Sequence, residues 1–329
     1  MKVELIDTTA SKVRNELIRM CQQMGGLTTG VVLNLIIMTD EAEQYDAMRA
    51  AVQAGREHPC QIVGVIARNG RRPRRLDAEI TVGENMPGQM ALLRIQGELN
   101  EHVDSVITPL LVPDTPVVIW WPRQAPDTPA TDPLGMLGQR RITDAAEDEA
   151  PRERLLHLAA GYRPGDTDLA WARTTTWRSL LAATLDRPYA KILDATVGAE
   201  ADNPSADLIA AWLGKRLDVP VVREVTAGPG VTEVGFMTAD GKIVISRLDG
   251  RNATLSRPGE PDRFVALHRR DVTELLAEEL RRLDPDEVYG ETLGELASEE
   301  QAAAVRAAEA TAAEHAAAAS AAGAEPDEE

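Results

Sequence analysis

The sequence predicts an α/β chain of two mixed units, each with a parallel strand–helix–strand element and antiparallel hairpins. Three observations point there. Apolar, β-branched runs, GVVLNLIIM at 30–38 and CQIVGVIA at 60–67, flank a helical stretch, as strands covered on both faces do. The same order returns at 191–225, where KILDATV and VPVVREV enclose a second helix. Between them, Pro122 and the RQAPDTPATDP that follows hold four prolines, which suit neither a helix nor a central strand and mark a linker. The expected division is 1–130, 131–297 and a tail at 298–329.

The elements follow in order. In 9–24, Val13, Leu17, Met20, Cys21 and Met24 recur at steps of three and four, so the segment reads as an amphipathic helix, stopped by Gly25 and Gly26. The stretch 43–56 is helical with Tyr45, Met48 and Val52 inward. Alternation in AEITV and ALLRIQGEL makes 76–82 and 90–99 antiparallel neighbours. A helix is expected at 101–111, and PVVIWW at 116–121 is a buried strand. Helices are expected at 135–146 and 151–160, then a longer one in DLAWARTTTWRSLLAATLD, 168–186. Asn203 and Pro204 are the N-cap and first-turn proline of a helix reaching about residue 217. The Ala-Asp-Gly in EVGFMTADGKIVISRL signals a hairpin. In 270–283, Val272, Leu275, Leu276 and Leu280 form an inward stripe. The Ala/Glu-rich tail has few large apolar side chains, cannot bury a core, and is expected to be disordered or a fraying helix.

Composition narrows the function. A formal charge of -18 argues against nucleic acid or an anionic membrane as partner. From Glu295 onward nine acids face one arginine, so the tail carries close to half of that charge. Cys21 and Cys60 are the two cysteines, with no CxxC, as suits a reducing cytosol. The N-terminus has no apolar leader, and no apolar run approaches the roughly 18 residues of a membrane span. A cytoplasmic location is expected.

The usual signatures of catalysis are missing together. There is no GxxxxGK[ST] loop, no GxGxxG after a strand and no GxSxG elbow. The five histidines are scattered without metal-ligand spacing. Neither cofactor nor metal is expected. What remains is recognition chemistry. RNGRRPRR at 68–75 is either a solvated loop or, through Arg71, Arg72, Arg74 and Arg75, a contact for an acidic partner. In the 168–186 helix, Arg173 and Trp177 stand at i and i+4, where a guanidinium can lie over an indole. Trp171, Thr174 and Arg178 share a neighbouring face, while Leu169, Leu180, Leu181 and Leu185 supply a core stripe. Either the indoles fill a second layer of core, or they form a partner surface with hot-spot composition.

The stretches DLAWARTTTWRSLLAATLD, PVVIWWP and TTGVVLNLIIM, in these places, resemble the OpcA family, the glucose-6-phosphate dehydrogenase assembly proteins of actinobacteria and cyanobacteria. The likeness covers about residues 1–289. Its specific part is D-L-x-W-x-R-x-x-x-W-R, here Asp168, Leu169, Trp171, Arg173, Trp177 and Arg178. Membership implies a non-enzymatic assembly factor or allosteric activator whose partner is glucose-6-phosphate dehydrogenase. NADP and glucose 6-phosphate then belong to the partner. The expected partner-binding residues are Trp171, Arg173, Trp177, Arg178, Trp120 and Trp121, with the four arginines of the basic loop. The alternative is a sugar-phosphate-binding protein or enzyme, with Arg173 and Arg178 as phosphate ligands in a cleft between the two units.

Overall fold

The computed structural model describes residues 1–24, 30–68, 73–83 and 88–301. The first part of the chain forms β1 (Lys2–Leu5), α1 (Ala10–Gln23), β2 (Leu33–Thr39), α2 (Gln44–Ala54), β3 (Cys60–Arg68), β4 (Arg75–Val82), β5 (Gln89–Gln96), α3 (Val103–Ile107), β6 (Val117–Trp120), β7 (Arg140–Thr143), α4 (Pro151–Gly161) and β8 (Asp166–Asp168). Their eight strands make one sheet in the order β1-β4-β5-β3-β2-β6-β7-β8. The six strands from β5 to β8 are mutually parallel, and β4 and β1 extend one edge antiparallel. Numbered by chain order, the parallel strands read 3-2-1-4-5-6, the doubly wound arrangement whose order reverses between β2 and β6.

Burial explains why these segments are strands. Leu33, Leu35 and Ile37 face one side of the sheet and pack with α2; Ile36 faces the other side with α1. β4 alternates, with Leu76, Ala78, Ile80 and Val82 buried against Val13, Leu17 and Met20 of α1. Tyr45, expected inward, is exposed; Ala47, Met48 and Ala51 make the buried face of α2 instead.

Three expectations need correction. The proline-rich stretch does not separate two units, because β7 and β8 continue the first sheet to Asp168, well past residue 130. The stretch is an arm between β6 and β7. Arg154 pins it by donating to the carbonyls of Ala125 and Pro126 and to Asp127. The helix expected at 135–146 is a single 3-10 turn, Gly135–Leu137, followed by β7. Likewise 101–111 breaks into short helical pieces around α3.

The second part comprises α5 (Leu169–Leu185), β9 (Ile192–Ala199), α6 (Pro204–Leu217), β10 (Val221–Val225), β11 (Val231–Thr238), β12 (Gly241–Ser246), β13 (Asn252–Ser256), β14 (Arg263–Ala266), α7 (Val272–Arg281) and a helical stretch at 287–301. Its six-stranded sheet runs β10-β9-β11-β12-β13-β14, with only the β9/β10 pair parallel. The predicted hairpin closes at Thr238 and Gly241. Asn203 caps α6 by accepting from the Ala206 N–H, as its sequence position predicts. One face of this sheet packs Val197, Val234, Phe236, Ile243 and Ile245 against Trp177 and Leu181 of α5 and Ile209 and Leu213 of α6. α7 then returns to the first sheet, where Leu275, Leu276 and Leu280 join the α2 cluster.

That return is fixed by a buried ion pair. Arg140 on β7 donates to Glu279 on α7 and, at 2.9 Å, to the Asp284 carbonyl; both charged side chains are 5% exposed. Removing one partner strands the other charge in a dry interior. Glu279→Ala is therefore expected to lower unfolding free energy by about 3–5 kcal/mol, while Arg140→Met combined with Glu279→Ala costs less than the single change. Urea denaturation of the three variants checks this; a single-variant loss indistinguishable from zero contradicts it.

Candidate functional site

The segment with the most recognition chemistry begins at Asp168. Its buried carboxylate accepts from the Ala170 N–H at 2.8 Å, capping α5, and from Thr143 Oγ1 at 2.6 Å and the Ala145 N–H at 2.9 Å. One carboxylate thus joins the end of β7, the turn after it and the first turn of α5. From this anchor α5 runs through three cores. Leu169 and Ala172 pack with Trp120 and Ile142 under the first sheet. Ala170 and Trp171 meet Leu155, Leu208 and Tyr289. Trp177 and Leu181 serve the second sheet. Leu169 to Ala172 are thus all buried, while Ser179, Ala182 and Ala183 further along α5 face solvent.

This overturns the expected Trp/Arg surface. Trp171 and Trp177 are each 1% exposed, and Trp120 and Trp121 are also buried. The Trp171 indole N–H donates to Asp286 at 2.8 Å, and its ring lies 5.6 Å from that of Tyr289. The expected Arg173–Trp177 stack does not form. Arg178 lies over Trp171 instead, 3.6 Å from its centroid, and donates to Thr174 and Thr175 at 2.9 and 3.1 Å. Arg173 makes a two-pronged bond to Asp144 at 2.6 and 2.7 Å. Burial pushes the Asp144 carboxyl up to about 6 against the pull of Arg173. Sequence reasoning missed Asp144 and Asp286, and named Asp168 only as part of the motif, without its anchoring role. Asp144 and Asp286 are far along the chain from the side chains they serve, and single acids in an acidic chain carry no local signal.

In the basic stretch, Arg71 and Arg72 lie outside the described residues. Arg74 is exposed, and Arg75 pairs with Asp77 at 2.9 Å. Cys21 and Cys60 are free and buried, and burial pushes the Cys60 thiol up to about 12. Among the described residues no group of three His, Cys, Asp or Glu is placed to hold a metal, and no helix is long and apolar enough to cross a membrane.

A doubly wound sheet binds dinucleotides where its strand order reverses, with the pyrophosphate at the N-terminus of the first crossover helix. Here that crevice lies beside the ends of β2 and β6, with Thr39, Asp40, Glu43, Pro122, Arg123 and Asp132 in its walls. The place of a glycine-rich turn is taken by Asp40-Glu41-Ala42-Glu43. The Asp40 carboxylate accepts from the Ala42 and Glu43 N–H groups at 2.8 Å each. The protein's own anion occupies the N–H groups a pyrophosphate needs, while Glu41 pairs with Arg68 and Arg94 and Glu43 with Arg123.

The second sheet offers a different feature. Its outer face has no helix over it among the described residues. One row across it runs Val222, Thr196, Gly235, Val244 and Ser256; another runs Glu224, Gly198, Glu233, Ser246, Thr254 and Phe264. At the centre the Lys242 side chain lies over Gly235, where a Cβ would come within 2.6 Å of its Cε and 2.9 Å of Thr196 Oγ1, and Lys242 donates to Glu233 at 2.9 Å. The rim is apolar and uncovered, with Phe264 86% exposed and Val222 and Met237 also open to solvent. Sequence alternation marks this face only in part, because Glu233, Gly235, Lys242 and Ser246 are polar or small but share it with Met237 and Val244.

Two sequence-family models match the chain. One, described as the glucose-6-phosphate dehydrogenase subunit N-terminal domain, matches residues 51–160; the other, described as the C-terminal domain of the same subunit, matches residues 164–293. No curated protein matches it in sequence. Among solved structures it is similar to KijD10, a 3-ketoreductase from Actinomadura kijaniata, at 10% identity over 80% of this chain and 94% of that one, with a TM-score of 0.46. It is also similar to an oxidoreductase from Sinorhizobium meliloti, at 10% identity over 84% and 89%, with a TM-score of 0.40. Likeness this distant does not bear on activity.

The burial of Trp177 generates a direct test. Trp177→Ala is expected to cost about 3–5 kcal/mol of folding stability through lost contacts and an unfilled cavity. Chemical denaturation measures it. A variant as stable as the parent would return this indole to the surface.

Proposed function

The chain belongs to the glucose-6-phosphate dehydrogenase assembly family, and from that premise we propose that it is a non-catalytic partner of the dehydrogenase that docks through the uncovered face of its second sheet. The observation that carries the docking surface is the outer face itself. It has no helix over it among the described residues, and it leaves Phe264, Val222 and Met237 open to solvent beside small residues such as Gly198, Gly235 and Ser246. Large apolar side chains left exposed on an uncovered sheet face are a mark of a protein contact. The acid-filled crevice supports the non-catalytic part: the fold has the strand order of a dinucleotide-binding sheet without a place for the phosphates.

In this reading the tryptophans of α5 do not touch the partner. They hold the two sheets in one arrangement, so the face presented to the dehydrogenase is rigid and needs little ordering when it binds. Arg71, Arg72, Arg74 and Arg75 act at longer range, as a positive loop on an acidic protein that steers an oppositely charged surface. Activation requires tighter binding to the active conformation or oligomer of the dehydrogenase than to the inactive one. The interaction takes place in the cytoplasm. The phosphate-ligand alternative loses one member of its pair, because the Arg178 guanidinium is committed to Trp171, Thr174 and Thr175.

The test is Phe264→Asp. An exposed strand residue changes folding stability little, within about 0.5 kcal/mol, so the melting temperature should hold. Loss of an exposed aromatic contact and burial of a charge should weaken dehydrogenase binding at least about thirtyfold. Titration of the variant against the dehydrogenase, followed by calorimetry, reads both. Parental affinity in the variant removes this face from the interface. Absence of binding by the parent protein removes the partner reading altogether.

A further inference from the structure

Between α5, the start of α6 and the stretch that follows β14 there is a small cleft of about 60 Å³, lined by basic groups from elements far apart in the chain. Arg173 enters from α5, Arg247 from the end of β12, and His268, Arg269 and Arg270 from the approach to α7. Asn203 and Ser205 bring the positive end of the α6 dipole.

Three of these cations have carboxylates. Arg173 is held by Asp144, Arg270 by Glu278, and His268 lies 3.4 Å from Glu274. Arg247 and Arg269 have none among the described residues. Arg247 is only 4% exposed; it donates to the Leu267 and Val231 carbonyls at 3.1 and 3.0 Å, while its Nε has no partner. Its guanidinium lies 5.1 Å from the ring of Trp177, whose indole N–H is also buried without a partner and borders the same cleft. Asp249 accepts from the Arg251 and Asn252 N–H groups, and Glu200 accepts from Gly230 and Asn203 at the cleft wall; neither acid makes an ion pair with Arg247 or Arg269. Burial, and then the charge of Arg269, lower the pKa of Arg247 to about 10. A buried guanidinium without an anion is costly, and this protein of net charge -18 has acids to spare.

We propose that this cleft is a binding site for a phosphoryl anion, carried by a small phosphate monoester or by free phosphate. The volume suits one tetrahedral oxyanion and no more, so the rest of an ester would project past the exposed Arg269 and His268. Guanidinium forks and a helix N-terminus are the groups that recognise such an anion. Arg178 takes no part, and the site is separate from the acid-filled crevice beside β2. It is independent of the dehydrogenase docking face and can hold or fail without it.

The experiment uses the full chain alone. Calorimetric titration is run with inorganic phosphate, with glucose 6-phosphate and with glucose, against a chloride background of matched ionic strength. Saturable binding of phosphate or of the ester, with no binding of glucose, is expected. A higher affinity for the ester assigns the site to a phosphorylated metabolite; equal affinities assign it to the phosphoryl group alone. Arg269→Gln removes a largely exposed charge, so its melting temperature without ligand should match the parent, while its affinity for the anion falls about tenfold or more. Failure of both phosphate and the ester to saturate at about 10 mM, or retention of full affinity by Arg269→Gln, overturns the proposal.

Discussion

The buried course of α5 is the constraint on which the rest of the structure depends. Its first turn is tied to the end of β7 by the Asp168 carboxylate, and its side chains then enter three separate cores. Because one rigid helix contributes to both sheets, neither can shift without disturbing the other. Buried polar contacts around it fix the rotation as well as the position. Trp171 with Asp286, Arg173 with Asp144 and Thr175 with Glu278 each demand one angular setting of the helix. Apolar packing alone would tolerate several settings; unsatisfied partners in the interior penalise all but one.

This placement separates scaffold from surface. The doubly wound sheet has both faces covered, by α1 on one side and by α2 and α7 on the other, and its ligand crevice is filled by acids of the chain itself. The second sheet has one face against α5 and α6 and the other open. The chemistry available for recognition is therefore asymmetric. An uncovered face with Phe264, Val222 and Met237 exposed lies outside the second sheet, and unpaired positive charge lies in the small cleft between its inner edge and α5. The first suits a protein partner; the second suits a tetrahedral anion.

Much of the architecture was legible in the sequence where periodicity was strong. α1, α6, the β11–β12 hairpin and the parallel β2–α2–β3 unit follow from apolar spacing, an Asn-Pro cap and an Ala-Asp-Gly turn. β7 was not legible, because RRIT reads as polar until Glu279 and Asp166 are brought in to neutralise its arginines. The same effect misdirected the reading of α5. Trp, Arg and Thr on a helix have the composition of a contact surface, and only the long-range carboxylates Asp144 and Asp286 show them to be interior. Membership of the dehydrogenase assembly family was legible from the motif in that helix and is matched by models spanning residues 51–160 and 164–293. The open sheet face was not singled out, because exposure of one side of a strand depends on which helices the fold leaves to cover it.

The central claim is that α5 is an internal strut and that the outer face of the second sheet makes the partner contact. Amide hydrogen exchange of the chain alone and in complex with glucose-6-phosphate dehydrogenase tests both halves at once. The account predicts slow exchange throughout α5 in the free protein, little changed by the complex, and new protection confined to the strands from β9 to β14. Rapid exchange in free α5 that becomes protected on binding, with the second sheet unaltered, would contradict it.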